Sequence, residues 1–512
     1  MERLHKLLHT LTEQQVKILK KYLVSFTTRD PNTKFWELAE ILLASKKLPS
    51  KKRCAVKLYD SNPDERLKKL KNRLYTKVLD SLLIDINTNR DIYDDELHPI
   101  QVRLRKKMIL YDLVKYTALK DTLGMEMIND IISMAKQYEF YPILLDAMYI
   151  LKWDFTLKKG IDYFKKVSEQ IAFFEKCKNA SQRAMDLNTE VGQMSTFNSK
   201  TDKDKFEKFM MDSIEELRQS FLETDASLVG YTLKTFELNL FSFQKKYLEA
   251  KEVAISMIKF LHKNKNVGRK MRFGVWYGYI SQIETELGEY DSALKYNLLS
   301  RTYFVNSPRN IAISKKLELD IRYLQEDYPN AMQLVDELIS TNTLVTGDFR
   351  HDMFLYYKGC IHFMMKEYRE CARLMNLKFQ LTKDKLGWEV NIRFMRIMVM
   401  VELGKPDEAM KMVETVSKHI ERYQRTGDLS KRDYLLVRVF RELAKEGFGF
   451  FRPGPVIFHY LLLLREKGKP HSWEPLSPEL VQVHNWVINK YERFELPVTA
   501  RKSKVRKRRR AA

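Results

Sequence analysis

Cysteine, glycine and proline are all scarce in this chain. Its 512 residues hold four cysteines, Cys54, Cys177, Cys360 and Cys371, too few and too dispersed for a disulfide framework. That is the usage of a reducing compartment. With 17 glycines and 14 prolines the chain is short of turn formers, which argues against a β-rich fold. Long apolar runs are missing as well. The most apolar short stretch, Val456 to Leu464, contains His459 and stops at Arg465, far short of the roughly 20 residues needed to span a bilayer. The opening residues, Met-Glu-Arg-Leu-His-Lys, carry no apolar leader. These absences predict a cytoplasmic protein with no membrane partner; in a eukaryote the basic run Lys504 to Arg510 would also fit a nuclear address signal.

Motifs that carry chemistry are absent too. Gly447, Gly449 and Gly454 do not fit G-x-G-x-x-G and lack a βαβ context, and there is no G-x-x-x-x-G-K-[ST]. No G-x-S-x-G or H-E-x-x-H occurs. Cys360, His362 and Cys371 lie close in sequence, yet they include no C-x-x-C pair and no fourth ligand. The acidic run Asp94-Asp95-Glu96 reads as a solvated linker. The sequence therefore predicts no catalytic residue, no cofactor and no metal site.

What the chain does have is a helical vocabulary, rich in Leu, Lys, Glu, Met and Tyr, with 44% hydrophobic residues. That is enough for a continuous core, and an all-α fold is the expectation. The net charge of +23 is concentrated. Residues 1 to 80 hold 19 Lys/Arg against 9 Asp/Glu, and residues 501 to 510 hold 8 Lys/Arg and no acid. A nearly neutral body thus carries two cationic ends, which suit a polyanion such as RNA, DNA or a ribosome. The residues expected to make that contact are Lys46, Lys47, Lys51, Lys52 and Arg53 near the start, with Arg501, Lys502, Lys504, Arg506, Lys507, Arg508, Arg509 and Arg510 in the tail.

The first 90 residues read as a small basic helical domain of three helices. Thr12 and Gln15 form a T-x-x-Q capping box ahead of Val16, Leu19, Leu23 and Phe26. A second run covers Phe35 to Leu43, and a third follows Pro63 with Leu67, Leu70, Leu74, Val78 and Leu82 on one face. The basic stretch 46–53 is expected to lie between helices. Such a unit is either a helical cap or a DNA-reading module, although the glycine turn often found in the latter is missing. Helical hairpins are predicted over 97–227, with a polar loop at Asn188 to Asp204. Residues 421–497 should cap the array, with a last helix starting at Ser477-Pro478-Glu479. The tail, 498–512, is too charged to fold alone.

An internal repeat is the strongest signal. A start residue, an aromatic two places later and a small residue five places later recur at Lys245-x-Tyr247-x-x-Ala250, Gly288-x-Tyr290-x-x-Ala293, Glu326-x-Tyr328-x-x-Ala331 and Lys366-x-Tyr368-x-x-Cys371. Gly404-x-Pro406-x-x-Ala409 continues the series. The starts lie 43, 38, 40 and 38 residues apart, a period that marks a solenoid. The pattern resembles the tetratricopeptide repeat over roughly residues 228–420, with Leu287 to Leu294 the nearest copy, although the spacing exceeds the usual 34. The resemblance implies antiparallel helix pairs stacked into an α-α superhelix that binds a protein or peptide on its concave face. Trp276, Tyr277, Tyr279, Tyr356 and Tyr357 are either core between repeats or the lining of such a groove. The expected function is a non-enzymatic interaction scaffold docked on nucleic acid or a ribonucleoprotein through its basic ends. A pure protein–protein adaptor, or a transcriptional regulator reading DNA through residues 11–86, are the other readings.

Overall fold

The 3.6-residue spacing of apolar side chains folds into α-helices, and no strand occurs among the described residues. The structure is a computed structural model. It describes residues 1–25, 34–45, 47–59, 64–84, 96–155, 159–194, 200–305, 307–341, 348–379, 384, 387–424, 430–466 and 468–491. The chain divides into two compact units, Met1–Glu175 and Lys176–Ala512.

The first unit opens with five helices, α1 (Glu2–His9), α2 (Glu13–Ser25), α3 (Lys34–Leu43), α4 (Lys51–Tyr59) and α5 (Asp64–Ile84). They share one core that includes Leu8, Leu19, Trp36, Leu58 and Leu74. The capping box closes at the start of α2: the Thr12 N–H donates to Gln15 Oε1 at 3.0 Å, and the Gln15 N–H to Thr12 Oγ1 at 3.3 Å. Two helices correct the three-helix expectation. The short α1 has only Leu4 and Leu8 to bury. The other, α4, starts inside the basic stretch, where cations oppose the helix dipole and hide the signal. There Ser50 Oγ accepts the Arg53 N–H at 3.3 Å.

Four further helices follow: α6 (His98–Val114), α7 (Met125–Gln137), α8 (Tyr141–Ile150) and α9 (Ile161–Met194), the last ending in the second unit. Two π-helical turns, Lys120–Gly124 and Leu151–Phe155, lead into α7 and out of α8. After α9 comes α10 (Lys200–Thr224), so the described parts of Asn188 to Asp204 are helical rather than a loop. Of their polar residues, Glu190 is ion-paired with Arg183 at 3.0 Å, and Arg183 also binds Glu216 of α10 at 2.8 Å.

The rest of the second unit is six consecutive hairpins: α11 (Ser227–Phe243) with α12 (Tyr247–Lys263), α13 (Lys270–Leu287) with α14 (Tyr290–Thr302), α15 (Pro308–Leu324) with α16 (Tyr328–Ser340), α17 (Asp348–Met364) with α18 (Tyr368–Met375), α19 (Trp388–Glu402) with α20 (Pro406–Gln424), and α21 (Lys431–Lys445) with α22 (Pro455–Leu464). Each helix packs on the next along the series. This is a tetratricopeptide-like helical-repeat solenoid, as the repeat implied. The final helix, α23 (Val483–Lys490), begins five residues after Pro478, the expected first helical position. Ser477 Oγ donates to Glu474 O, and it is the Glu479 carboxylate that accepts the Val483 N–H at 3.0 Å.

Five of the hairpin turns share one geometry. The starting residue adopts a left-handed conformation, with φ of 59° at Lys245, 84° at Gly288, 62° at Glu326, 64° at Lys366 and 71° at Gly404. Its N–H bonds the carbonyl three residues back and the next N–H the carbonyl five back, as in Gly288 to Thr285 O at 3.1 Å and Glu289 to Glu284 O at 2.9 Å. This is the Schellman closure of a helix. Tyr247, Tyr290, Tyr328, Tyr368 and Pro406 start the second helices. The small residues Ala250, Ala293, Ala331, Cys371 and Ala409 are fully buried, where a larger side chain would force the paired helices apart. A sixth such turn sits in the first unit, with Glu139 at φ 52° ahead of Tyr141 and the fully buried Leu144. Leucine in place of the small residue is why the pattern did not reveal it.

Candidate partner-binding site

Groups from the first hairpin's turn and from α17, α19 and α21 converge on one feature: residues 471–491, which run back across the array. Lys245, at the end of the first hairpin's turn, is ion-paired with Glu474. Tyr356 of α17 donates its hydroxyl hydrogen to Pro478 O at 3.1 Å. At the end of α19, Glu402 accepts from Trp486 Nε1 at 2.7 Å and from Lys490 Nζ at 2.8 Å. Arg432, near the start of α21, grips both oxygens of Glu479 and also donates to His471 O at 3.0 Å and His484 Nδ1 at 2.9 Å. Leu480, Val481, Val483, Val487 and Tyr491 are buried in the core of the last hairpins. The segment is held by charge and by apolar packing together.

The charges around it are tuned by burial. Burial pushes the Glu286 carboxyl up to about 7, with the neighbouring Glu474 charge adding to the effect and Lys245 opposing it. Asp433 is likewise raised to about 7 by burial. His484 falls to about 3, first because it is buried and then because Arg432 is beside it. It is therefore neutral at physiological pH and free to accept the guanidinium hydrogen.

Between the α15–α16 turn, the α17–α18 turn and this segment lies a cavity of about 540 Å³. Its walls are aromatic, with Tyr323, Tyr328, Phe363, Tyr368, Trp473 and Trp486, and its rim carries Glu326, Lys366 and Asn489. Glu326 and Lys366 are the left-handed residues of consecutive turns, both exposed, and neither has an ion-pair partner among the described residues.

The aromatic residues suggested for a groove divide. Trp276, Tyr356 and Tyr357 have at most 2% exposure and belong to the core, while Tyr277 and Tyr279 are half-buried. Tyr357 donates to Asp320 Oδ1 at 2.8 Å, and Tyr277 stacks between Tyr296 and Tyr303. Of the groups that line the cavity, the repeat had singled out Tyr328 and Tyr368, with Glu326 and Lys366, only as turn residues, and Tyr323, Phe363, Trp473 and Trp486 went unnoticed because they come from helix ends and from the returning segment. Cys360 and Cys371 are buried thiols raised by burial, the latter to about 12, and His362 binds Glu367 Oε2 at 2.6 Å.

Lys47, Lys51, Lys52 and Arg53 are exposed and form no ion pair among the described residues. Burial lowers the pKa of the Met1 amine, and the charges of Lys71 and Lys51 lower it further. Lys46 and residues 501–510 lie outside the described residues.

No protein-family model matches this chain, and no curated protein matches it either. Among solved structures, similarity is found to the crystal structure of a Signal Transduction ATPase with Numerous Domains (STAND) protein with a tetratricopeptide repeat sensor from Pyrococcus horikoshii. The identity is 11% and the TM-score 0.39, over 86% of this chain and 66% of that one.

Proposed function

We propose that this chain is a non-enzymatic helical-repeat scaffold that captures an extended segment of a protein partner at the cavity between the α15–α16 and α17–α18 turns. The docked stretch 471–482 carries this reading. It is a largely non-helical peptide held across the first helices by Lys245, Tyr356 and Arg432, which is the kind of grip an extended partner segment would need. The turns support it. A left-handed conformation costs a non-glycine residue about 1 kcal/mol or more, yet Lys245, Glu326 and Lys366 occupy positions that glycine holds at 288 and 404. Lys245 uses its charge on Glu474. Glu326 and Lys366 keep theirs for a ligand.

Glycine at both positions removes the charges and the strain together. The Glu326→Gly/Lys366→Gly protein is expected to match the wild type in unfolding free energy from urea titration or exceed it by up to about 1 kcal/mol per site, while losing the proteins that the wild type retains from nuclease-treated lysate. Identical sets of retained proteins for the two would sink the reading.

Docking of the basic ends on a polyanion is a second activity, favoured by the exposed, unpaired Lys47, Lys51, Lys52 and Arg53. Deleting residues 501–510, with their eight cations, is expected to weaken RNA binding and flatten the slope of log K against log salt, which scales with the number of phosphates neutralised. An unchanged slope in an anisotropy titration would remove this part of the proposal.

A further inference from the structure

In the first unit, α6 to α9 run antiparallel in sequence, so the close of α6, both π-helical turns and the start of α9 meet at one end. Contacts join them: Tyr111 donates to Asp154 Oδ2 at 2.5 Å, Lys120 Nζ lies 3.7 Å from Asp154 Oδ1, and Trp153 packs edge-on to Phe164 at 6.3 Å. This end exposes Leu113 (69%), Tyr116 (86%), Leu119 (53%), Trp153 (62%) and Ile161 (64%). Single exposed apolar residues need no explanation, but a cluster of large ones marks a contact surface. Short π-helical segments are themselves costly and concentrate at functional sites.

We propose that this end of the first unit docks on an anionic lipid surface. Cations accompany the apolar residues: Lys152, Lys159, Lys165 and Lys166, together with Lys115 and Lys120, which are ion-paired with Asp112 at 2.8 Å and Asp154 at 3.7 Å; the described residues of 112–125 and 150–166 hold six lysines against four aspartates and no arginine. Protein–protein interfaces are enriched in arginine and depleted in lysine, so a protein partner fits this composition poorly. A second copy of the chain would bring lysines against lysines. Nucleic acid would match the charge but has no use for Leu113, Leu119 and Ile161. At a bilayer interface all the parts have a place. Leucine and isoleucine enter the acyl boundary, Trp153 and Tyr116 sit at headgroup level, and long lysine stems lie along apolar surface with their ammonium groups on anionic headgroups. Two of the lysines already lie over these rings, Lys115 over Tyr116 at 5.1 Å and Lys152 over Trp153 at 5.2 Å. This is contact with a surface rather than passage through it: no helix among the described residues is long and apolar enough to cross a membrane.

Co-sedimentation of the full chain with vesicles of phosphatidylcholine, with and without phosphatidylglycerol, tests the assignment. Binding is expected only with phosphatidylglycerol present. It should weaken at least about tenfold in Leu113→Ser/Trp153→Ser, which removes two apolar anchors, and about fivefold for each lysine replaced in Lys159→Gln/Lys165→Gln. All four side chains are exposed, so both variants should keep the wild-type circular dichroism melt. Failure to bind phosphatidylglycerol vesicles overturns the proposal. So does binding that Leu113→Ser/Trp153→Ser leaves unchanged, which would assign the effect to the basic ends, and so does loss of RNA binding in that same variant, which would make the surface a nucleic-acid site.

Discussion

Replacing Arg432 with alanine is expected to destabilise the second unit by about 3–5 kcal/mol, the range found when one partner of a buried ion pair is removed. The Arg432 and Glu479 side chains are only 9% and 5% exposed. Without the guanidinium, Glu479 is left in the interior with no counterion, and the carbonyl of His471 loses its donor. Desolvation makes this asymmetric. Exchanging both members in Arg432→Met/Glu479→Met leaves no buried charge behind, and most of the loss should be recovered. Recovery will be incomplete by at least about 1 kcal/mol, because the Val483 N–H loses its cap and His471 O and His484 Nδ1 stay without the guanidinium. Urea unfolding of the single and double variants gives the comparison. Limited proteolysis should cut within residues 471–482 faster in Arg432→Ala than in wild type. A single variant as stable as wild type would mean that the pair does not hold the segment.

Trp276→Ala should cost a similar amount, about 3–5 kcal/mol, the usual penalty for emptying the space of a fully buried large aromatic. Trp276 has no exposed surface and meets Tyr231 and Tyr279 edge-on at 6.2 and 5.4 Å. Its Nε1–H is buried without an acceptor, so the indole stabilises by volume alone. Trp276→Phe discards that unpaired donor and keeps most of the ring, and it should cost less than half as much. Were Trp276 a ligand contact instead, alanine would lower binding and leave the urea midpoint in place.

These two residues also mark where the sequence was readable and where it was not. Periodicity in Leu67, Leu70, Leu74 and Val78 pointed to a buried helix face, and all four are buried. The G-x-Y-x-x-A series located five turns because it encodes local physics: a left-handed residue, a tyrosine or proline that starts the next helix, and a small buried residue within six positions. Trp276 illustrates the limit of residue type, since a tryptophan in a repeat suits core and groove equally until its neighbours are known. Residues 471–491 were beyond reach for another reason. Their partners lie 229 residues away at Lys245, 122 at Tyr356 and 84 at Glu402, and no local pattern encodes such pairings. Ser477-Pro478 is a sound helix start by composition, but the buried Arg432 claims Glu479 and delays α23 to Val483.

That returning segment also changes how the array must assemble. A stack of hairpins touching only their neighbours can form piecewise, each unit nucleating on the one before it. Here the first hairpin is tied to Glu474 and the sixth to Glu479, so the array is not closed until a segment that follows all six hairpins in the chain is in place. Closing a loop of 229 residues adds little to the equilibrium cost but slows the approach to it. On the ribosome, hairpins one to six would wait part-folded with the faces around Tyr356 and Glu402 still wet. Folding should then finish in one late, concerted step, with the segment acting as a bolt drawn across six units.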